Sequence, residues 1–146
     1  MEDIDNQILG LLASDGRLSF TDLGKATGLS TSAVHQRVKR LEQRGVISGY
    51  QAKIDPEYLG LSLTAFISIR PTDPSEPDDY PERLRDIGEI ESCYSVAGDE
   101  SYILKVRVEN PAALEKLLAR VRAAANVSTR TTIVLSIPYE SRPVSS

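Results

Sequence analysis

The sequence is poor in the side chains that most often build disulfides and metal centres. It contains 1 cysteine and 1 histidine in 146 residues. A single cysteine, Cys93, excludes an internal disulfide and a thiolate metal cluster, and we expect it to be a buried, inert thiol. The only histidine, His35, has no second histidine with which to complete a zinc site. The composition therefore predicts neither a disulfide framework nor a metal centre.

Long apolar runs are missing as well. No stretch approaches the roughly 20 apolar residues that a membrane-spanning helix needs, and the chain opens without the basic and apolar leader of a secreted protein. Apolar residues make up 40% and charged residues 26% of the chain, which is ordinary for a globular protein. We therefore expect a cytoplasmic protein with no membrane partner and no cofactor.

Basic residues are fewer than acidic residues, and the difference is not the same along the chain. The chain has 17 Lys+Arg against 21 Asp+Glu, yet residues 1–54 carry a net charge of +1 and residues 55–146 a net charge of −5. Such asymmetry predicts two domains with different partners. We expect a DNA-binding domain at 1–54, a linker at 55–60, a second domain at 61–138 and a C-terminal tail at 139–146, with Asp55-Pro56 and Gly60 marking the linker.

The first domain shows the apolar spacing of short helices. The first helix is predicted to end at the turn dipeptide Asp15-Gly16. Ser19 and Asp22 form the pattern of a capping box at the start of the second helix, which ends near Gly28. The residues that this second helix is expected to turn inward are Phe20, Leu23 and Ala26.

A third helix is predicted between Ser30, an N-cap residue, and Gly45, a stop signal. Two short helices joined by a tight turn that contains glycine constitute a helix-turn-helix. The segment VISGYQAKI, residues 46–54, has two β-prone runs around Ser48-Gly49 and predicts a small hairpin, or wing.

The third helix combines an apolar stripe with a polar and basic face. Val34, Val38 and Leu41 fall on one side at 100° per residue and are expected to be buried. Arginine and lysine can bind phosphates or guanine, and glutamine can pair with adenine, so the other side is predicted to bind double-stranded DNA. The alternative is a face that is only solvated. The candidate DNA-binding residues are Ser30, Thr31, Ser32, His35, Gln36, Arg37, Lys39, Arg40 and Gln43.

The second domain has the pattern β-α-β-β-α-β, which is that of a ferredoxin-like α+β fold. Strands are expected at 61–70, 91–97, 101–108 and 129–137, with one helix burying Leu84 and Ile87 and another beginning at Asn110-Pro111. Both helices would cover one side of the sheet. The uncovered side is expected to self-associate, the alternative being a solvated face; its predicted members are Ser62, Thr64, Phe66, Ser68, Cys93, Ser95, Ile103, Lys105, Arg107, Thr132, Val134 and Ser136.

The order of several segments resembles the Lrp/AsnC, or feast/famine, family of transcriptional regulators. The matching segments are DIDNQIL, DGRLSFTDLGKATGLS, VHQRVKRLEQRGVISGY, QAKIDPEYLG, VAGDESYILKVRV and TRTTIVL. The resemblance implies a winged helix-turn-helix that binds DNA and a ferredoxin-like domain that binds small effectors, commonly amino acids. It also implies dimers that pair through their sheets, and octamers of four such dimers.

The same resemblance places the effector near the hairpin turn between the second and third strands. The matching residues are Gly98, Asp99, Glu100, Ser101 and Tyr102. Glycine permits close backbone approach, and an acid can hold an α-ammonium group. The family more commonly has an acid where this chain has Ser101, so Asp99 or Glu100 would supply that charge. The alternative is a hairpin turn with no ligand.

Two other classes of function are less well supported. Enzymes of similar architecture that decarboxylate sirohaem use histidines in the C-terminal domain, whereas this chain has no histidine after His35. No catalytic triad, Cys-His pair or pair of carboxylates stands out. A module that binds effectors without DNA is disfavoured by the basic third helix. The sequence therefore predicts a regulator and not an enzyme.

Overall fold

The computed structural model describes residues 3–144. They divide into two compact units: one extends to Lys53 and also takes in the chain from Pro138 onward, and the other is Ile54–Ile137. Each unit has its own apolar core. Among the described residues, no helix is long and apolar enough to span a membrane.

The first unit contains three helices: α1 (Asp3–Ser14), α2 (Phe20–Thr27) and α3 (Thr31–Gln43). Its core is formed by one side of each helix, with Ile8, Leu23, Val34, Val38 and Leu41 buried. The predicted stripe of α3 is therefore confirmed. The prediction for α2 was partly wrong, because Phe20 and Ala26 are exposed. Gly24 is buried beside Leu23 instead, since α2 lies against the chain that follows it.

The prediction of a β-hairpin wing after α3 was wrong. Residues 46–54, all within the described part of the chain, form no strand. Gly45 has a φ of +74°, and the N–H groups of Val46 and Ile47 both donate to the Leu41 carbonyl at the end of α3. The Tyr50 ring lies 3.6 Å from the position of a Cβ on Gly16. Of the apolar residues that suggested a hairpin, Ile47 packs against the core of the helices, whereas Val46, Tyr50 and Ile54 are exposed.

The second unit has the predicted β-α-β-β-α-β order, which confirms the ferredoxin-like fold. Its elements are β1 (Leu63–Pro71), α4 (Tyr80–Leu84), β2 (Ile90–Ser95), β3 (Tyr102–Val108), α5 (Pro111–Ala125) and β4 (Val127–Ile133). The sheet is antiparallel in the order β2-β3-β1-β4. Each strand differs from its predicted bounds by one or a few residues. The largest difference is in β4, which begins two and ends four residues earlier than expected, and Ile87 is buried beyond the end of α4.

The core of this unit lies between the two helices and one side of the sheet. Alternate strand residues such as Ile67 and Leu104 are buried there against Leu117 and Val121 of α5. Alternation in the central strands β1 and β3 was therefore assigned to the correct sides, and these two strands supply seven of the fifteen buried residues in the cluster.

The assignment for β2 was wrong. The ladder between β2 and β3 is irregular between Ile90 and Ser92. Beyond this bulge Cys93 pairs with Leu104 and Tyr94 with Ile103, so Cys93 and Ser95 lie on the helix side of the sheet. Cys93 is also exposed rather than buried, because β2 is an edge strand.

We call the side of the sheet without helices the open face. Ser62, Val134 and Ser136, predicted to belong to it, lie outside the strands, although the N–H of Val134 donates to the Thr64 carbonyl. Cross-strand pairing assigns the following residues to the open face: Thr64, Phe66, Ser68, Arg70, Ser92, Tyr94, Ile103, Lys105, Arg107, Ser128, Arg130 and Thr132.

Candidate functional site

The turn between α2 and α3 sets the position of α3. A Cβ on Gly24 would lie 2.7 Å from the backbone oxygen of Leu29, so only glycine permits this close approach. Gly28 ends α2 with a φ of +77°, and its N–H donates to the Gly24 carbonyl at 2.8 Å. At the other end of α2, Ser19 and Asp22 form the predicted capping box. Local chemistry therefore holds both ends of the short helix.

Ser30 begins α3 by capping it. Its hydroxyl accepts a hydrogen bond from the Ala33 N–H at 3.2 Å and lies 3.3 Å from the Ser32 hydroxyl. This bond satisfies one of the free N–H groups of the first turn. Ser30 therefore has a structural role, whether or not it also contacts DNA.

Beyond its cap, α3 exposes a continuous polar and basic surface, which we call the reading face. Five of its members lie on the side opposite Val34, Val38 and Leu41, while Thr31 belongs to the first turn and His35 lies at the edge, and each member is exposed. Such a surface offers hydroxyl, amide, imidazole, ammonium and guanidinium groups to a partner. The members of the reading face are Thr31, Ser32, His35, Gln36, Lys39, Arg40 and Gln43.

Two of the candidate DNA-binding residues, Arg37 and His35, contact other helices. The guanidinium of Arg37 donates to the carboxylate of Asp5, in α1, at 3.1 Å, and Asp5 is itself buried. Arg37 thus ties α3 to α1. The His35 ring lies 4.9 Å from the Phe20 ring, centroid to centroid, at an angle of 55°. Phe20, at the start of α2, therefore limits the orientations of His35.

The predicted effector residues lie in two different environments. Gly98 and Asp99 are exposed in the turn, whereas Glu100 and Ser101 are partly buried. Gly98 has a φ of +151°, and apart from its chain neighbours the nearest atom to an added Cβ would be a Glu100 carboxylate oxygen at 4.0 Å. The turn (residues 96–101, hereafter the effector turn) therefore has open space beside its glycine.

Tyr102 is directed away from that space. It is buried, and its hydroxyl donates to the Asp78 carboxylate at 2.8 Å. Its ring also makes an edge contact with Tyr80. The hydrogen bond to Asp78, burial and the charge of Asp78 raise the pKa of Tyr102 to about 12. Tyr102 therefore supports the effector turn from the core side.

Two family models together span most of the chain. The AsnC-type helix-turn-helix domain matches residues 1–42, and the Lrp/AsnC ligand binding domain matches residues 64–144.

The chain belongs to the Lrp/AsnC family.

Relatives within the Lrp/AsnC family are similar over nearly their full length. The HTH-type transcriptional regulator LrpA of Mycobacterium tuberculosis is 55% identical over 142 residues, which cover 97% of this chain and 95% of the relative. The leucine-responsive regulatory protein of Escherichia coli is 38% identical over 140 residues, covering 92% and 85%. The chain is accordingly an Lrp/AsnC-type transcriptional regulator with a helix-turn-helix and a ligand-binding domain.

Solved structures of the Lrp/AsnC family share the fold. A feast or famine regulatory protein from M. tuberculosis, solved with L-methionine, has a TM-score of 0.96 and 55% identity, and the match covers 98% of this chain and 97% of that one. E. coli AsnC has a TM-score of 0.86 and 29% identity, with coverage of 99% and 97%.

Sequence reasoning missed two residues that position these sites. Asp5 pairs with Arg37 from 32 residues away, and Arg70 donates to the Asp99 carbonyl from 29 residues away. Neither contact follows from helical or strand spacing. An acid among the apolar residues of α1 was the only available signal for Asp5.

Proposed function

We propose that this Lrp/AsnC regulator binds double-stranded DNA through the reading face, and that an amino acid bound at the effector turn modulates this binding. The exposed reading face, presented by a rigid turn and free of large apolar side chains, is the observation that carries the proposal. A second helix held against the first by a glycine turn is the arrangement that places a helix in the major groove.

Lys39 and Arg40 are proposed to have different roles on DNA. Both are exposed near the middle of the reading face. If Lys39 contacts phosphate, Lys39→Ala should weaken binding to every sequence. It should also make the slope of log affinity against log salt concentration shallower by about one. If Arg40 contacts a base, Arg40→Ala should reduce the preference for the operator over unrelated DNA.

Fluorescence anisotropy with labelled DNA from upstream of the gene tests these roles. Affinities are measured over a range of salt concentrations on that DNA and on a shuffled duplex. Arg17→Ala, which removes one cation from an exposed turn of the same unit, serves as the control for net charge. Unchanged affinity in Lys39→Ala and Arg40→Ala, with a folded protein, would contradict the assignment.

The effector is proposed to be an α-amino acid bound at Gly98, Asp99, Glu100 and Ser101. An exposed acid and an open glycine suit an ammonium group and a close ligand, and a 55% identical relative has been solved with L-methionine. Gly98→Val should block binding by bulk and by straining the backbone at a φ of +151°. Removing the responsible acid, by Asp99→Asn or Glu100→Gln, should cost about 2–5 kcal/mol of binding free energy.

Isothermal titration of L-methionine measures this site. Asp86→Asn is a suitable control, because it removes an exposed acid that lies beyond α4. Equal affinity for wild type, Gly98→Val, Asp99→Asn and Glu100→Gln would place the effector elsewhere.

The assembly is proposed to be a dimer formed through the open face, with four dimers in an octamer, acting in the cytoplasm. Phe66 is only partly exposed on the open face, where it pairs with Lys105 and Thr132, and covering this large apolar side chain supports pairing with a second copy. Phe66→Glu should therefore shift sedimentation of the full chain toward the monomer. Ala112→Glu, on the exposed side of α5, should sediment like wild type; a Phe66→Glu protein that also does so would contradict the interface.

A further inference from the structure

Arg70 links the end of β1 to the effector turn. It is exposed, and its Nε–H donates to the carbonyl oxygen of Asp99 at 2.9 Å. The adjacent residue also anchors the turn, because the Ile69 carbonyl accepts from the Ser101 N–H at 3.0 Å. The position of the Arg70 side chain is therefore fixed relative to the effector turn by a bond at its own Nε.

Most of the binding capacity of Arg70 is unused. A guanidinium has five N–H donors, and the bond to Asp99 uses the one on Nε. Within residues 3–144, no carboxylate lies within ion-pairing distance of Arg70, whereas the guanidinium of Arg83 pairs with both Glu76 and Asp79. Arg70 thus presents two terminal amino groups and a full positive charge beside the turn.

The neighbouring acid is unused as well. In the described part of the chain, the exposed carboxylate of Asp99 accepts no hydrogen bond and forms no ion pair with Arg70, although the Asp99 carbonyl bonds to Arg70. A cation and an anion are therefore held close together without neutralising each other. An α-amino acid carries the complementary pair, an ammonium and a carboxylate on the same carbon.

We infer that Arg70 binds the carboxylate of the effector, while Asp99 binds its ammonium group; this inference rests on the proposed amino-acid site at the effector turn. The planar fork of a guanidinium matches the two oxygens of a carboxylate. The bond from Nε to the turn preorganises that fork, so little side-chain entropy is lost when the ligand binds. Gly98 precedes Asp99 and has open space where a side chain would be, which leaves room for the ligand.

The test separates direct binding from support of the turn. Isothermal titration is performed on the full-length protein with L-methionine and with L-methioninamide, which keeps the ammonium group and side chain but lacks the carboxylate. The variants are Arg70→Gln and Arg70→Lys, with Arg85→Gln as the control because Arg85 is exposed at the end of α4. Hydrogen exchange at the Ser101 amide reports whether the turn keeps its bond to Ile69.

A direct contact predicts a specific pattern. Arg70→Gln should bind L-methionine about 10- to 100-fold more weakly, as expected for a lost charged hydrogen-bond pair, and should bind the amide as wild type does. Arg70→Lys should recover part of the affinity for L-methionine, since it keeps the charge but not the fork. Arg85→Gln should match wild type with both ligands, and Ser101 should stay protected in every variant.

Four results would overturn the inference. One is that Arg70→Gln binds L-methionine and its amide with equally reduced affinity, and another is that it loses both methionine binding and protection of the Ser101 amide. Either result would mean that Arg70 acts only by holding the turn. Loss of methionine binding in Gly98→Val and Asp99→Asn but not in Arg70→Gln would reject Arg70 and leave the proposed site standing. No binding of methionine to wild type would reject the site and Arg70 together.

Discussion

Replacing Gly24 with alanine tests how α2 is packed against the chain that leads into α3. The added Cβ would lie 2.7 Å from the Leu29 backbone oxygen, a distance at which one of the two must move. That oxygen belongs to the turn between Gly28 and Ser30, so moving it also moves the start of α3. Gly10, in the middle of α1, offers a matched site, because nothing lies within 4 Å of its added Cβ.

The pair of substitutions isolates the steric cost. Alanine is favoured over glycine inside a helix by about 1 kcal/mol, and this gain is common to both variants. Gly10→Ala should therefore stabilise the protein by about 0.5–1 kcal/mol. Overpacking costs about 1–3 kcal/mol, so Gly24→Ala should be less stable than Gly10→Ala by that amount.

Urea unfolding followed by helical circular dichroism measures both free energies of unfolding, and DNA anisotropy reports the position of α3. We expect Gly24→Ala to bind DNA more weakly and Gly10→Ala to bind as wild type does. A Gly24→Ala protein that gains as much stability as Gly10→Ala would refute the close approach of α2 to Leu29.

Three further predictions concern polar contacts. Tyr102→Phe removes the hydroxyl bonded to Asp78 and should lower the free energy of unfolding by about 1 kcal/mol. The pKa of Tyr102 in the folded protein, about 12, exceeds its ordinary value of 10.0. The free energy of unfolding of wild type should therefore fall more between pH 10 and 12 than that of Tyr102→Phe, which urea titrations at alkaline pH would show. Burial raises the pKa of Glu91, but hydrogen bonds from Arg107 and Lys105 outweigh it and hold the pKa below its ordinary value of 4.5. The stability that Glu91 contributes is thus present above pH 4.5 and lost as the pH falls below it, so Glu91→Gln should show a shallower acid dependence in urea titrations; equal slopes would contradict the pairing. Asp5→Ala removes the buried carboxylate that pairs with Arg37 and should destabilise the first unit by about 1–3 kcal/mol, whereas Asp3→Ala, at an exposed site, should change thermal unfolding little.

The features predicted correctly from the sequence are those set by neighbouring residues. The helix caps at Ser19–Asp22 and at Ser30 form hydrogen bonds between residues three positions apart, so their spacing is visible in the sequence. Alternation in β1 and β3 was equally local, because both are central strands with one side in the core.

The errors arose where contacts between distant segments decided the structure. The β-prone run after α3 forms no hairpin: the N–H groups of Val46 and Ile47 bond to the Leu41 carbonyl, and Tyr50 lies near Gly16, more than thirty residues earlier in the chain. The bulge near Glu91 reversed the sides of Cys93 and Ser95, since strict alternation assumes an uninterrupted ladder. At the effector turn, only the folded chain brings Arg70 beside Asp99.

The separation of α3 into a buried stripe and a reading face has a consequence for how regulators of this kind diverge. Val34, Val38 and Leu41 hold the helix in place, and none of them belongs to the reading face. Substitutions at exposed positions usually change stability by less than about 0.5 kcal/mol. After gene duplication, changes at Gln36, Arg40 or Gln43 would therefore alter the surface proposed to bind DNA at little cost in folding stability.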